Sequence, residues 1–294
     1  MDRIATREIL ERFIAPPGKR VSLSDYDPAF TPDDVTKEDA ATLLAESLRR
    51  LAKYQDMLYA QDRHALLVIL QALDAAGKDG VIKHVMTGLN PQGCQVYSFK
   101  APSVEEIDHD YLWRCFKALP ERGRIGIFNR SYYEEVLVAR VHPEILAAQH
   151  LPAELRGKKI WKRRFEQMNN FERYLTNNGI HVLKIYLNLS KDEQKKRFLE
   201  RIDRPEKNWK FSTADAKERA HWDDYRKAYE EVFRHTSTKY APWYIVPADN
   251  KWFTRLAVAR IVAAELKSMK LAYPQLEEAQ LRQLQEAKTL LEQE

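Results

Sequence analysis

Residues 64–84 read HALLVILQALDAAGKDGVIKH, and no other stretch restricts the fold as much. It opens with the apolar run Ala65–Leu70, which is too short for a membrane span and suits a strand covered on both faces. Asp74-Ala-Ala-Gly77-Lys78-Asp79-Gly80 follows, then a helical pattern that puts Val81, Ile82, Val85 and Met86 on one face. A strand, a loop of small residues ending in Gly-Lys, and a helix together make a phosphate cradle. Backbone N–H groups and the positive helix end face the anion, and the lysine offsets its charge. We read this stretch as a P-loop in which Ala75, Ala76, Gly77, Lys78, Asp79 and Gly80 contact phosphate.

The loop departs from G-x-x-x-x-G-K-[ST] at two positions. Ala72 stands where the first glycine belongs, and Asp79 where a Mg²⁺-binding hydroxyl belongs. Asp74 compensates. A carboxylate inside a phosphate loop repels the ligand unless a metal ion lies between them, so Asp74 is the expected Mg²⁺ anchor.

The chain alternates strands and helices around this motif. Strands are expected at Ala65–Leu70, Cys94–Phe99, Arg124–Phe128, Ile180–Asn188 and Trp243–Val246. Helices are expected at 36–61, after the P-loop, at Asp108–Leu119, after Ser131, at 158–178, from Ser190 to Asp203, at Thr213–Arg234, at Thr254–Met269 and at Gln275–Glu294. That order predicts an α/β fold with a five-stranded parallel sheet flanked by helices. With 294 residues, 44% of them apolar, the chain suits a single domain. Residues 1–36, with Pro16-Pro17-Gly18, form an arm on it, and 270–294 a charged terminal helix. Two cysteines make neither a disulfide framework nor a metal set, and the histidines show no metal-ligand spacing. The N-terminus lacks a secretory pattern and no run approaches the ~20 apolar residues a bilayer needs, so a cytoplasmic protein with no membrane partner is expected.

In open α/β sheets ligands collect at the carboxyl ends of strands. One such end carries Asp74 and Lys78. A second carries Asn129 and Arg130, with Glu134 one helical turn on. Asn129 occupies the place where a P-loop enzyme usually has an acid for the metal, so Asn129 and Glu134 join Asp74 as metal candidates. Basic residues cluster at 158–164 and again from Lys195 to Lys210, around Trp209. The second cluster lies where small P-loop kinases carry a lid, here 195–235, whose cations neutralise a transferring phosphoryl group and exclude water. These residues alone do not name the phosphate donor, and they leave open a P-loop kinase using ATP on nucleotides or small molecules and a non-catalytic nucleic-acid binder acting through 158–164.

LQALDAAGKDGVIKHV (70–85), GLNPQGCQVYSFKAPS (88–103), DYLWR (110–114), GRIGIFNRSYYEEVLVARVHPE (123–144), RPEKNWKFS (204–212), WDDY (222–225) and TSTKYAPWYIVPADNKW (236–252) resemble, in this order, the type-2 polyphosphate kinases, or polyphosphate:nucleotide phosphotransferases. The resemblance implies a P-loop kinase-like three-layer fold with a helical lid, and Mg²⁺-dependent, reversible phosphoryl transfer between inorganic polyphosphate and nucleotides. Asp74 looks like the family's metal-binding loop aspartate, Lys78 like its P-loop lysine, and Lys83 like a second lysine on the polyphosphate path. Arg130 is similar to the arginine beside the Walker-B position, and Arg201, Lys207 and Lys210 fall on the basic lid. Asn129 and Glu134 exchange the acid and amide found in members acting on ADP, which resembles the subclass taking AMP and ADP to ADP and ATP. Guanine nucleotides are further candidate acceptors, no nucleic acid is implied, and a homo-oligomer (dimer or tetramer) is.

Overall fold

The computed structural model describes residues 11–157, 159–210 and 212–293, the Lys210 side chain excepted. Five parallel strands form one sheet: β1 (Ala65–Gln71), β2 (Cys94–Ser98), β3 (Ile125–Asn129), β4 (Ile180–Asn188) and β5 (Trp243–Pro247), in the order β2-β3-β1-β4-β5. β1 is central and every residue of it is buried, as its unbroken apolar run requires. It pairs with β3 from Leu66 opposite Ile125 to Leu70 opposite Asn129, and with β4 from Ala65 opposite Ile180 to Gln71 opposite Tyr186.

Strand alternation divides the core in two. Leu66, Val68 and Leu70 face a layer of helices α1 (Lys37–Gln61), α2 (Lys78–Val85) and α11 (Lys251–Ser268). Leu67 and Ile69 face the other layer, supplied by α5 (Glu134–Val141), α7 (Ile160–Asn177) and α10 (Trp222–Thr236). The result is the expected three-layer sandwich. Local chemistry sets the helix ends. Thr36 and Asp39 make a reciprocal capping box at the start of α1, and Asp62 stops that helix in a left-handed conformation. The arm from residue 11 runs along the free edge of β5, where Ala15 N–H donates to Trp243 O and Ile245 N–H to Phe13 O.

Two expected helices are broken. The stretch 108–119 holds only α4 (Trp113–Lys117), after a separate turn of helix, α3 (Val104–Ile107), whose start is set by the Ser103–Glu106 capping box. Thr213–Arg234 is divided into α9 (Thr213–Glu218), a 3₁₀ turn at Arg219–His221, and α10. Between them α6 (Pro143–Ala148) and α8 (Lys191–Asp203) complete the set, with α12 (Glu278–Leu291) after the core. The segment around the break at 219–221 brings Asp215, Arg219 and Tyr225 to one cavity with Asp74, Arg130 and Glu134. Among the described residues no helix is long and apolar enough to cross a membrane.

Candidate active site

The site lies at the carboxyl ends of β1 and β3. Gly77 caps α2 with φ +105°, a conformation open to glycine, and no side chain caps the first turn. The first-turn amides, which have no partner within the helix, are therefore available to an anion. Two non-glycine residues here also adopt left-handed backbone, Ala75 (φ +63°) and Arg130 (φ +66°). Such conformations persist only where neighbours enforce them. For Ala75 the enforcer is Arg197, 4% exposed, which donates to the carbonyls of Ala75 (3.1 Å) and Ala76 (2.9 Å) and, on the other side, to those of Ala248 (2.7 Å) and Asp249 (2.9 Å). Gln194 adds a bond to Asp74 O (2.9 Å). For Arg130 the enforcers are its own N–H on Leu70 O (3.0 Å) and the buried bond from Gln71 Nε2 to Ser131 Oγ (3.1 Å).

The charged groups interlock. Arg130 pairs with Asp74 at 2.9 Å and with Glu134 at 3.5 Å, all three partly exposed. Glu134, then Asp74, holds the guanidinium in its charged form. Lys78 donates to Ala72 O at 2.8 Å, and burial, with Arg130 nearby, lowers its pKa below the usual lysine value of 10.5. Asn129 donates from Nδ2 to Asp79 at 2.9 Å, and its buried Oδ1 has no partner. Among the described residues no group of three or more His, Cys, Asp or Glu is gathered as a metal cage. Mg²⁺ does not need one: it takes one or two carboxylates and completes its shell with phosphate oxygens and water. Asp74 and Glu134, with the unsatisfied amide oxygen of Asn129, suit that ion.

Three cavities lie about the site. One lies under the lid, between Asp74, Arg130 and Glu134 on the core side and Asp215, Arg219 and Tyr225 on the lid side. Burial and the facing Asp74 raise the pKa of Asp215. A second, of about 210 Å³, opens from Arg130 and Glu134 and is walled by Phe99, Pro102, Tyr111 and Val138. The third, of about 290 Å³, borders Ala75, Ala76, Gly77 and Gly80 and, among the described residues, carries Arg197, Arg201, Lys207, Lys251 and Arg255 against the single carboxylate Glu200. Among the described residues no aromatic residue lines it.

The chain matches the family described as Polyphosphate kinase 2 (PPK2) over residues 34–274. It belongs to that family. A relative from Rhodopseudomonas palustris, an ADP-polyphosphate phosphotransferase, is 52% identical over 91% of this chain and 93% of its own length. An AMP/ADP-polyphosphate phosphotransferase from Meiothermus ruber is 42% identical over 92% of this chain and 97% of its own. The crystal structure of polyphosphate kinase 2 from Arthrobacter aurescens TC1 superposes with a TM-score of 0.82 at 43% identity, covering 91% of this chain and 93% of the other.

In this polyphosphate kinase 2 fold, Asp74, Arg130 and Glu134 are in contact with Lys78 close by, and Asn129 and Asp79 touch. Arg201 and Lys207 line the cationic cavity. Lys83 is exposed on the last turn of α2, and the Lys210 side chain lies outside the described residues. The basic cluster at 158–164 divides: Lys158 lies outside the described residues, and Arg164 is buried against Glu135 at 2.8 Å. Sequence reasoning placed Arg197 only within a basic run and passed over Lys251, Arg255, Asp215 and Arg219. The signal available for Lys251 was a cation at a helix start, where the macrodipole disfavours one.

Proposed function

We propose that this enzyme transfers phosphoryl groups between inorganic polyphosphate and AMP or ADP, with Mg²⁺ held by Asp74 and Glu134 and by the Asn129 amide oxygen. The observation that carries the reading is the contrast between the cavities on the two sides of the loop. Beyond the loop the donor meets five cations and, among the described residues, no ring on which adenine would stack. That wall suits a polyanion without base or sugar and gives ATP no recognition as a donor. Beyond Arg130 the acceptor meets an apolar pocket with Phe99 and Tyr111 in its wall, rimmed by Glu106 and Arg114. Such a pocket suits a nucleoside. The names of the relatives from R. palustris and M. ruber support the same pair of substrates.

Arg130 and Glu134 line both the lid cavity and the acceptor pocket, so the transferred group passes beside them. Phosphoryl transfer asks little covalent chemistry of a protein; positioning and charge neutralisation supply the rate. The loop amides and Lys78 hold the donor phosphate, and Arg130 exchanges its carboxylate partners for substrate phosphate. Arg219 approaches from the lid, and closure over the site removes water and strengthens each of these contacts. Asp74, Glu134 and the Asn129 amide oxygen would hold Mg²⁺, which would supply positive charge against that developing in the transfer. The acceptor phosphate is already ionised near neutral pH, and the residues present need not deprotonate it. Purified protein with Mg²⁺, polyphosphate and AMP is expected to yield ADP and then ATP. Transfer from ATP to a non-nucleotide acceptor, with none from polyphosphate, would overturn the reading.

A further inference from the structure

The wall of the acceptor pocket carries an amide whose direction is fixed. Gln149 follows α6 and lines the same cavity as Arg130, Glu134 and Tyr111. Its main chain is held by Arg156, which donates from Nη2 to Gln149 O at 2.8 Å, while its own N–H donates to Leu146 O at 3.2 Å. Its side chain is held from two sides. Nε2 donates to Glu135 Oε2 at 2.6 Å, and Oε1 accepts from Arg164 Nη2 at 3.4 Å. Glu135 and Arg164 are themselves buried, and Arg164 Nε donates to Glu135 Oε1 at 2.8 Å.

A free glutamine can exchange its oxygen and nitrogen by turning about one bond. Here the reversed orientation would set a carbonyl oxygen against a carboxylate and an NH₂ group against a guanidinium, so charge excludes it. After its two bonds the amide keeps one N–H and one lone pair, and Gln149 is partly exposed to the pocket. Glu106 and Arg114 at the rim engage each other at 3.5 Å. The aromatic wall is set by the same arginine. The Arg164 guanidinium lies 4.4 Å from the centre of the Tyr111 ring, and Gln167 Oε1 accepts from both Arg164 Nη1 (3.1 Å) and Tyr111 OH (3.4 Å). One buried ion pair thus fixes a ring and an amide of one pocket.

A neighbouring donor and acceptor in fixed order match a 6-aminopurine, whose amino group donates next to a ring nitrogen that accepts. In a 6-oxopurine position 6 accepts and N1 donates, so the order is reversed. An amide free to turn serves both classes; a fixed one serves a single class. The relatives named for AMP and ADP favour the adenine order.

We propose that Gln149, oriented by Glu135 and Arg164, reads the base of the acceptor and selects adenine over 6-oxopurines. The inference rests on the assignment of this pocket to the nucleoside and adds the residue that sets base preference. Glu135 and Arg164 are positioning residues, acting through Gln149 and Tyr111. Contacts to the base are made equally in ground and transition states, so they appear in KM and leave kcat alone.

The test measures kcat/KM for AMP and for inosine monophosphate at saturating polyphosphate, in wild type and in Gln149→Met, which keeps the side-chain length and loses both polar atoms. Inosine monophosphate keeps the sugar and phosphate and exchanges only the 6-amino edge for a 6-oxo one. Wild type is expected to favour AMP by about tenfold or more, the worth of two neutral hydrogen bonds. In Gln149→Met the value for AMP should fall by about the same factor, through KM, and the preference should vanish. Glu135→Gln, in which an amide replaces the charge that fixes Gln149, should narrow the preference, a change of ratio that lost stability alone does not produce. A wild type that takes both acceptors equally, or an unchanged ratio in either variant, would overturn the inference while leaving the polyphosphate reading intact. Wild type inert toward both acceptors would remove that reading and this one with it. If a variant fails to fold by circular dichroism, wild type carries the comparison through purine riboside monophosphate, which lacks the 6-amino group. It should fall between the other two acceptors, and a value equal to that of AMP would overturn the inference.

Discussion

Two ion-paired clusters sit on either side of one short turn, residues 130–134, and they serve opposite ends. On one side Lys184 and Glu172, both 0% exposed, meet at 2.6 Å in the core. Every polar group there is answered: Glu172 accepts from Tyr132 (2.8 Å) and Tyr133 (2.7 Å), and Lys184 also donates to Thr236 O (2.6 Å). On the other side Arg130, Asp74 and Glu134 pair loosely at a partly exposed surface, beside Lys78 and an unsatisfied Asn129 oxygen. The first cluster is complete without a ligand. The second is balanced by partly exposed pairs, which the proposed mechanism has substrate phosphate displace. The closed cluster anchors Tyr132 and Tyr133, so that the open one is presented on a rigid edge.

Breaking the open cluster should remove activity and leave the fold. Lys78→Ala or Arg130→Ala is expected to lower turnover by about 10²–10⁴-fold, the range for removing a preorganised charge from a transition state. The melting temperature should move little. A variant of either kind keeping more than a tenth of wild-type turnover, a bound set well inside that range, would refute the assignment.

Breaking the closed cluster should do the reverse. Lys184→Met strands Glu172 in the core and should destabilise the fold by about 3–5 kcal/mol in urea titration. Lys184→Met/Glu172→Leu should recover part of that, since an apolar pair leaves no buried charge. Equal stability of the single and double variants would show that the pair does not act as a unit.

The pH profile separates the two clusters further. In the proposed mechanism Lys78 holds phosphate only while protonated, and its lowered pKa means the charge is lost before pH reaches the ordinary lysine value of 10.5. As pH rises, kcat/KM should therefore decline earlier than an unperturbed lysine would dictate. Lys78→Arg, whose residual activity depends on a guanidinium that stays charged, should lack this alkaline limb. An unchanged limb in that variant would place the titration elsewhere.

The smallest expected effect calibrates the others. Thr36→Ala removes the cap of α1, far from both clusters, and should cost about 1 kcal/mol of stability. Turnover should be unaltered, which would show that a modest loss of stability alone does not mimic damage to the open cluster.

Much of this was readable from one dimension. Ala65–Leu70 could only be an interior strand, and Ile180–Asn188 has the bounds expected of it, because apolar periodicity is a local property that burial then enforces. Lys184 is the residue within that strand that no pattern explained: a lysine amid apolar neighbours becomes intelligible only when Glu172 arrives from α7. The broken helix at 213–236 was also illegible, since helical spacing continues across the break and the turn at 219–221 answers to the lid's contacts with the core, among them His142 with Glu218 (2.6 Å).

The sequence by itself determined the succession of strands along the chain, the phosphate loop and the residues at its tips, because a motif whose parts are neighbours in the chain carries its own geometry. Only the tertiary structure decided what stands across from that loop. Arg197 reaches the loop carbonyls from more than a hundred residues away, and Lys251 and Arg255 arrive from the far edge of the sheet. The physical reason is that charge acts through space. Cations separated along the chain sum to one field only after folding has set them around a common cavity.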